Sequence, residues 1–143
     1  MIQSVLVGVD FPDASRMALE RGAAWATRLG VPLLALHVLQ PPTPLLPEAQ
    51  ITLPDPTWLQ TMEQQAKDQL AGWIKNFPGA EARVVWGSPA EELSSACTPD
   101  TLLVVAQVGH GAIARLLFGS TTARVVRHAP CDVLVVRAEE KNS

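Results

Sequence analysis

Tyrosine is absent from this chain, and cysteine and histidine are scarce, at two and three residues. Without tyrosine, and with Trp86 as the lone candidate for stacking beside a planar ring, a flavin electron carrier is disfavoured. Cys97 and Cys131 form no CxxC pair, so they read as free thiols of a reducing compartment rather than as a bridge or a metal pair. The three scattered histidines offer no zinc-ligand spacing. Lysine is missing between Lys75 and Lys141, which excludes the GxxxxGK(S/T) phosphate loop in the second half of the chain. No apolar run is long enough to span a bilayer. The opening Met1-Ile2-Gln3-Ser4 lacks a basic leader segment. A cytoplasmic protein without membrane contact is therefore expected. The net charge of -3 gives no global attraction to nucleic acid.

What is present suits one globular domain over residues 1–143, in which 48% of the side chains are hydrophobic. Ser4-Val5-Leu6-Val7-Gly8-Val9 is a short, nearly unbroken apolar run and reads as a strand buried on both faces. Asp13 is placed to cap a helix running to about Leu29, with an apolar stripe of Ala18, Leu19, Gly22, Ala23, Trp25, Ala26 and Leu29. Gly30 then supplies a left-handed stop. Leu33 to Val38 is a second buried strand, followed by a proline-rich loop over residues 40–56. Asp55 and Pro56 open a second helix, whose apolar positions are Leu59, Met62, Ala66, Leu70, Trp73 and Phe77. Arg83 to Trp86 is a third strand. Ser88-Pro89-Ala90-Glu91 has the form of a capping box before a helix to about Cys97. Thr101 to Ala106 is a fourth strand, Gly119 to His128 a helix ended by Pro130, and Asp132 to Val136 a fifth strand. The tail over residues 138–143 is polar. Strands alternating with helices imply a parallel sheet covered on both faces. In such a sheet ligands bind beyond the carboxyl ends of the strands, where the strand order reverses.

Of the loops that follow strands, the one from Ala106 to Ser120 carries the most chemistry. Gly109 and Gly111 permit close approach of the backbone to a ligand. Gly119, Ser120 and Thr121 open a helix, whose unpaired N–H groups, dipole and hydroxyls suit a phosphate. Between Gln107 and Arg137, Arg115, Arg124, Arg127 and Arg137 face a single acid, Asp132. That is a local positive field, fit for an anion or equally for a solvated helix face. Gly109-x-Gly111-x-x-Ala114 matches a dinucleotide fingerprint on paper. The acid that should close the following strand instead opens it, as Asp132, so this reading is discounted. Ser120 has no evident base and orienting partner, and no catalytic residue is assigned. His110 and Arg115 lie near the phosphate loop, although each suits an exposed position. His37, inside an apolar strand, reads as a hydrogen-bonded core residue, and His128 as a helix-end dipole partner.

Taken in order, these motifs resemble the universal stress protein family. The resemblance rests on Val5-Leu6-Val7-Gly8-Val9-Asp10, Leu36-His37-Val38, Gly87-Ser88-Pro89-Ala90-Glu91, and the stretch from Leu102 to Arg137. That last stretch follows the family pattern Gly-x2-Gly-x9-Gly-Ser/Thr, with Gly109, Gly119 and Ser120, then Arg127-His128-Ala129-Pro130-Cys131 and Val133-Leu134-Val135-Val136. Ala106 stands where the family motif has its first glycine. The proline-rich loop has no counterpart.

The resemblance implies a single-domain, Rossmann-like α/β/α sandwich of the adenine nucleotide alpha hydrolase type, with a five-stranded parallel sheet in the order 3-2-1-4-5. It implies an adenine nucleotide, ATP or another adenylate, with the base near Gly8, Val9 and Asp10 and against Val38. Gly109, Gly119, Ser120 and Thr121 would hold the ribose and phosphates, and Val105 and Ala106 would also line the nucleotide site. Asp10 would meet ribose or Mg²⁺. As a carboxylate ending a buried strand, it is also expected to be buried and to cap a local N–H, bind a ligand or contact a metal. The family also implies a homodimer through the last strand. The function expected is regulatory nucleotide binding in stress response without strong catalysis. The alternatives are a nucleotide-free dimeric interaction module, suggested by Ala106, and a slow ATP hydrolase.

Overall fold

A computed structural model describes residues 1–10, 13–41, 55–107 and 120–137. Most of the proline-rich loop, the glycine-bearing segment 108–119 and the tail 138–143 lie outside the described residues, as do Gly109, His110, Gly111, Arg115 and Gly119. Among the described residues, five strands and four helices alternate: β1 (Ser4–Gly8), α1 (Asp13–Leu29), β2 (Leu33–Leu39), α2 (Pro56–Ile74), β3 (Glu81–Trp86), α3 (Pro89–Ser95), β4 (Thr101–Ala106), α4 (Ser120–His128) and β5 (Asp132–Val136). All neighbouring strands are parallel, in the order β3-β2-β1-β4-β5. The fold is the expected single-domain α/β sandwich with a reversal of strand order between β1 and β4.

The period-two alternation of the strands divides the core into two layers. Val5, Val7, Ala35 and Val104 face α1 and α2, where Ala18, Leu19, Ala23, Ala26 and Leu70 pack on them. Leu6, Leu36, Leu103 and Val105 face the opposite way, against Ala90 and Leu93 of α3 and Val125 of α4. Leu19, Leu70 and Leu103 are among the largest fully enclosed side chains. Each contributes about 1.5–3 kcal/mol through burial alone.

The local signals explain most element ends. Gly30 stops α1 at a φ of 68°, a conformation that costs a side-chain-bearing residue. Asp55 accepts from Thr57 N–H at 3.0 Å and so caps α2, with Pro56 just inside.

Four expectations need correction. Asp13 is the first residue of α1 rather than the cap before it. Trp25 and Leu29 are exposed, at 40% and 41%. With Ala26 at the centre of the buried face, Trp25 stands about 100° round the helix from it, and Leu29 lies in the final turn. Strand β3 begins two residues earlier than expected, at Glu81, because Leu34 and Ala35 of β2 remain available to pair with Glu81 and Ala82. Ser88 occupies the N-cap of α3 and Pro89 its first turn, yet the Ser88 side chain makes no capping hydrogen bond. Glu91, the other half of the expected box, reaches across the surface to Arg124 of α4 at 3.9 Å.

Candidate functional site

The carboxyl ends of β1, β2 and β4 open into a cavity of about 500 Å³. It lies where β1 and β4 part company, since α1 leaves β1 toward one face of the sheet and α4 follows β4 on the other. This is the position that an open parallel sheet offers to a ligand. Leu36, Val38, Leu93 and Val105 supply apolar lining, while Asp10, Ser15, His37, Gln40 and Thr122 supply polar groups. Gly8, Val9 and Ala106 complete the strand ends around it. Of the residues singled out in the sequence, the structure thus gathers Gly8, Val9, Asp10, Val38, Val105 and Ala106 at one cavity. Gly109 and Gly119 lie outside the described residues. Ser120 and Thr121 form the start of α4, and their side chains are likewise outside the description.

Three of the buried polar side chains of the described chain are found here: Ser15, His37 and Thr122. Each holds one backbone group at a strand end. Ser15 Oγ accepts from Asp10 N–H at 2.9 Å. The carbonyl of Val9 can only accept, so His37 Nδ1 carries the proton and donates to it, at 2.6 Å. Thr122 Oγ1 donates to the carbonyl of Ala106 at 3.1 Å. A buried polar group without a partner costs roughly 1–3 kcal/mol, and these pairings remove that cost on both sides. They also fix the paths of the two chain segments that leave the sheet. Sequence reasoning placed His37 correctly as a hydrogen-bonded core residue but missed Ser15 and Thr122. The signal for Thr122 was its place in the Ser-Thr-Thr run opening α4. The signal for Ser15 was a hydroxyl in the first turn of the helix that follows β1.

The β1–β2 ladder ends at the cavity. Its register runs from Val5 paired with Leu33 to Gly8 paired with Leu36. The last bond is Val9 N–H to Leu36 O, at 2.9 Å. On the other edge of β2, Gly87 N–H donates to Leu39 O at 2.9 Å. Backbone groups alternate in direction along a parallel strand. Those of Leu36 and Val38 therefore face β1, and those of Leu39 face β3. Among the described residues the β1–β2 pairing ends at Leu36, and Val38 lines the cavity; by this alternation its N–H and C=O point to the β1 side of it.

One residue differs from what its sequence setting suggested. Asp10 is exposed rather than buried, because β1 ends at Gly8 and Asp10 lies two residues beyond it at the cavity mouth. Its carboxylate keeps its hydration. Ala106, in place of the family's glycine, is the last residue of β4. Extended backbone has negative φ, so alanine carries no conformational cost there. Gly8 has a packing reason beside any role at a ligand. A Cβ on it would meet both terminal methyls of Leu93 at 3.2 Å, closer than the packing of α3 on β1 accommodates without movement.

No group of three or more His, Cys, Asp or Glu residues poised to hold a metal ion occurs among the described residues. None of the helices described is long and apolar enough to cross a membrane. Cys97 and Cys131 are free and pack in the α3–α4 layer, apart from the cavity.

Comparison with known proteins agrees with this geometry. The model of the universal stress protein family matches residues 1–137. A universal stress protein of Mycolicibacterium smegmatis is 33% identical over 138 residues, or 93% of this chain, which spans 45% of that relative's length. The structure of universal stress protein UspA from Lactobacillus plantarum is 28% identical with a TM-score of 0.73, over 94% of this chain and 97% of that one. A universal stress protein solved in complex with cAMP is also 28% identical, with a TM-score of 0.61 over 94% of this chain and 96% of its own. With the family's pattern running from the first strand to the last, and its sheet order reproduced around a cleft between β1 and β4, the chain belongs to the universal stress protein family.

Proposed function

We propose that this chain binds an adenine nucleotide, with ATP and AMP as the first candidates, and acts as a regulatory stress-response protein with at most weak hydrolysis. The observation that carries this reading is the cleft itself: a slot of about 500 Å³, lined by both apolar and polar groups, with the edge of β2 left open along one side. A purine is flat and apolar on its faces, and its edge presents a hydrogen-bond donor beside an acceptor. Val38 offers the complement, an N–H and a C=O on one residue, and Val105 and Leu93 offer apolar contact. The related structure with cAMP supports an adenylate as the ligand class.

The phosphates would run toward α4. Thr122 lies in the first turn of that helix and lines the cavity, so the N-terminus of α4 adjoins the cleft. A helix end favours an anion by about 0.3–1 kcal/mol when exposed, so tight binding requires further donors. Gly109, Gly119, Ser120 and Thr121 are proposed for that role. Asp10, exposed at the mouth, is suited to a Mg²⁺ ion that takes its remaining ligands from phosphate oxygens and water. This is how a single carboxylate suffices where no protein cage exists.

The proposed assembly is a homodimer through β5, the edge of the sheet. Val133, Leu134 and Val135 are only half-buried there, and an unpaired apolar edge favours association.

Calorimetry with ATP, AMP and cAMP, with and without Mg²⁺, tests the reading. Saturable heat with at least one adenylate is expected. Absence of heat and of any thermal shift with all three would replace it by a nucleotide-free interaction module.

A further inference from the structure

We propose that His37 is a positioning residue that keeps the nucleotide cleft open by occupying the Val9 carbonyl, which Val38 N–H would otherwise take. The inference rests on the reading of the cleft as a nucleotide site. Its structural half, however, is measurable without any ligand.

The ladder itself carries the argument. In a parallel pair, the bond from Val9 N–H to Leu36 O is followed, one step on, by a bond from the N–H of residue 38 to the O of residue 9. The pairing of Val9 with His37 that this bond would create is absent, and the register stops at Gly8 and Leu36. Nothing in the intrinsic preferences of Val9 and Val38 ends it, because both are β-branched residues that favour strand pairing. What stands in its place is the His37 imidazole, whose Nδ1–H reaches the Val9 carbonyl at 2.6 Å from a buried position. A carbonyl oxygen has a second lone pair, so satisfaction alone does not exclude Val38; the short bond to a buried ring instead fixes the direction of this carbonyl on His37 rather than on Val38 N–H.

Two consequences follow at the same atoms. The Val9–Asp10 segment is held outside the β1–β2 ladder, in a path secured a second time by Ser15 Oγ accepting from Asp10 N–H at 2.9 Å. The Val38 N–H is left directed into the cavity as a donor for the edge of a base. One more rung of the ladder would consume that donor and draw the segment bearing Asp10 across the mouth.

The test uses the full chain, labelled with ¹⁵N, with AMP as the probe. In the wild-type protein without nucleotide, the Val38 amide should exchange with solvent about tenfold or more faster than the Leu36 amide inside the ladder, and AMP should slow it. His37→Leu removes the donor. The Val38 amide should then become protected without ligand, and AMP affinity should fall about tenfold, the size of one hydrogen bond. His37→Asn returns an N–H donor near the position of Nδ1 and should restore both the fast exchange and the affinity.

Protection of the Val38 amide in the ligand-free wild type, equal to that of Leu36, would overturn the proposal with no variant needed. So would a His37→Leu protein with unchanged exchange at Val38. Should the wild type not bind AMP while Val38 still switches from open to protected in His37→Leu, the nucleotide reading fails and the role of His37 in ending the ladder stands.

Discussion

Cys97 shows what burial does to a single ionisable group in this fold. It follows α3, it is nearly enclosed, and its Sγ–H donates to Leu93 O at 3.2 Å. Burial, with the neighbouring Cys131 thiol adding to it, pushes its pKa from 9.0 up to about 12. The folded state therefore retains this proton at pH values where the unfolded chain has lost it. Linkage gives the sign: the stabilisation is fully present below the unfolded value, and stability falls as pH rises from about 9 toward 12. Chemical denaturation followed from pH 8 to 11 (roughly the accessible part of that window) should show this decline, and Cys97→Ala should flatten it. Asp10 is the opposite case, an exposed carboxylate at the mouth of the cleft. Asp10→Asn should weaken Mg²⁺-dependent ATP binding in calorimetry more than metal-free AMP binding. Its strand setting pointed to burial, and only the point at which β1 stops shows that it is solvated.

At the scale of elements, the contact of α1 with β1 depends on an absent side chain. Gly22 lies in the middle of α1, where glycine costs about 1 kcal/mol of helix propensity against alanine. On propensity alone, Gly22→Ala should stabilise. A Cβ at this position, however, runs into Cγ2 of Val7, with Val5 and Val104 close behind. Val7 and Val104 are fully buried and cannot swing away. Overpacking of this kind costs roughly 1–3 kcal/mol, so Gly22→Ala should lower the midpoint of urea unfolding. Val7→Ala in the same chain should recover part of the loss, a coupling readable from a double-mutant cycle. Across the sheet, Leu93 of α3 sits over Gly8 and lines the cleft. Leu93→Ala should cost about 2–5 kcal/mol in stability and weaken adenylate binding as well. The exposure of Trp25 belongs to this scale too. Helical spacing alone admitted it to the apolar stripe, but only one arc of the helix meets the sheet.

For the whole molecule, the prediction concerns assembly. The sheet has two edges, and β5 presents one of them with its valines half-buried. Val126 of α4, a helix that packs on β5, is 45% exposed. A dimer joined there buries apolar surface that the monomer leaves wet. Analytical ultracentrifugation at micromolar concentration should show a species of twice the chain mass, and Val135→Glu together with Val126→Glu should shift it to monomer. A wild-type monomer under those conditions would remove the dimer from the proposal.

Local chemistry alone determined the element order, most boundaries, the two-sided burial of the first strand and the family to which the motifs point. These depend on periodicity, capping and turn residues, which act over a few positions. The same pattern led to Gly8, Asp10, Val38 and Ala106, because a sheet of this kind has few places for a ligand. The tertiary structure alone decided how those residues and their neighbours are placed. It showed that Ala106 is extended and so tolerates its methyl group, that Ser15 and Thr122 hold strand ends, and that the β1–β2 ladder stops one bond early at His37. Each of these depends on which backbone groups from distant segments meet and which are left without a neighbour. No local spacing encodes that, because a carbonyl's partner is chosen only once the strands lie side by side.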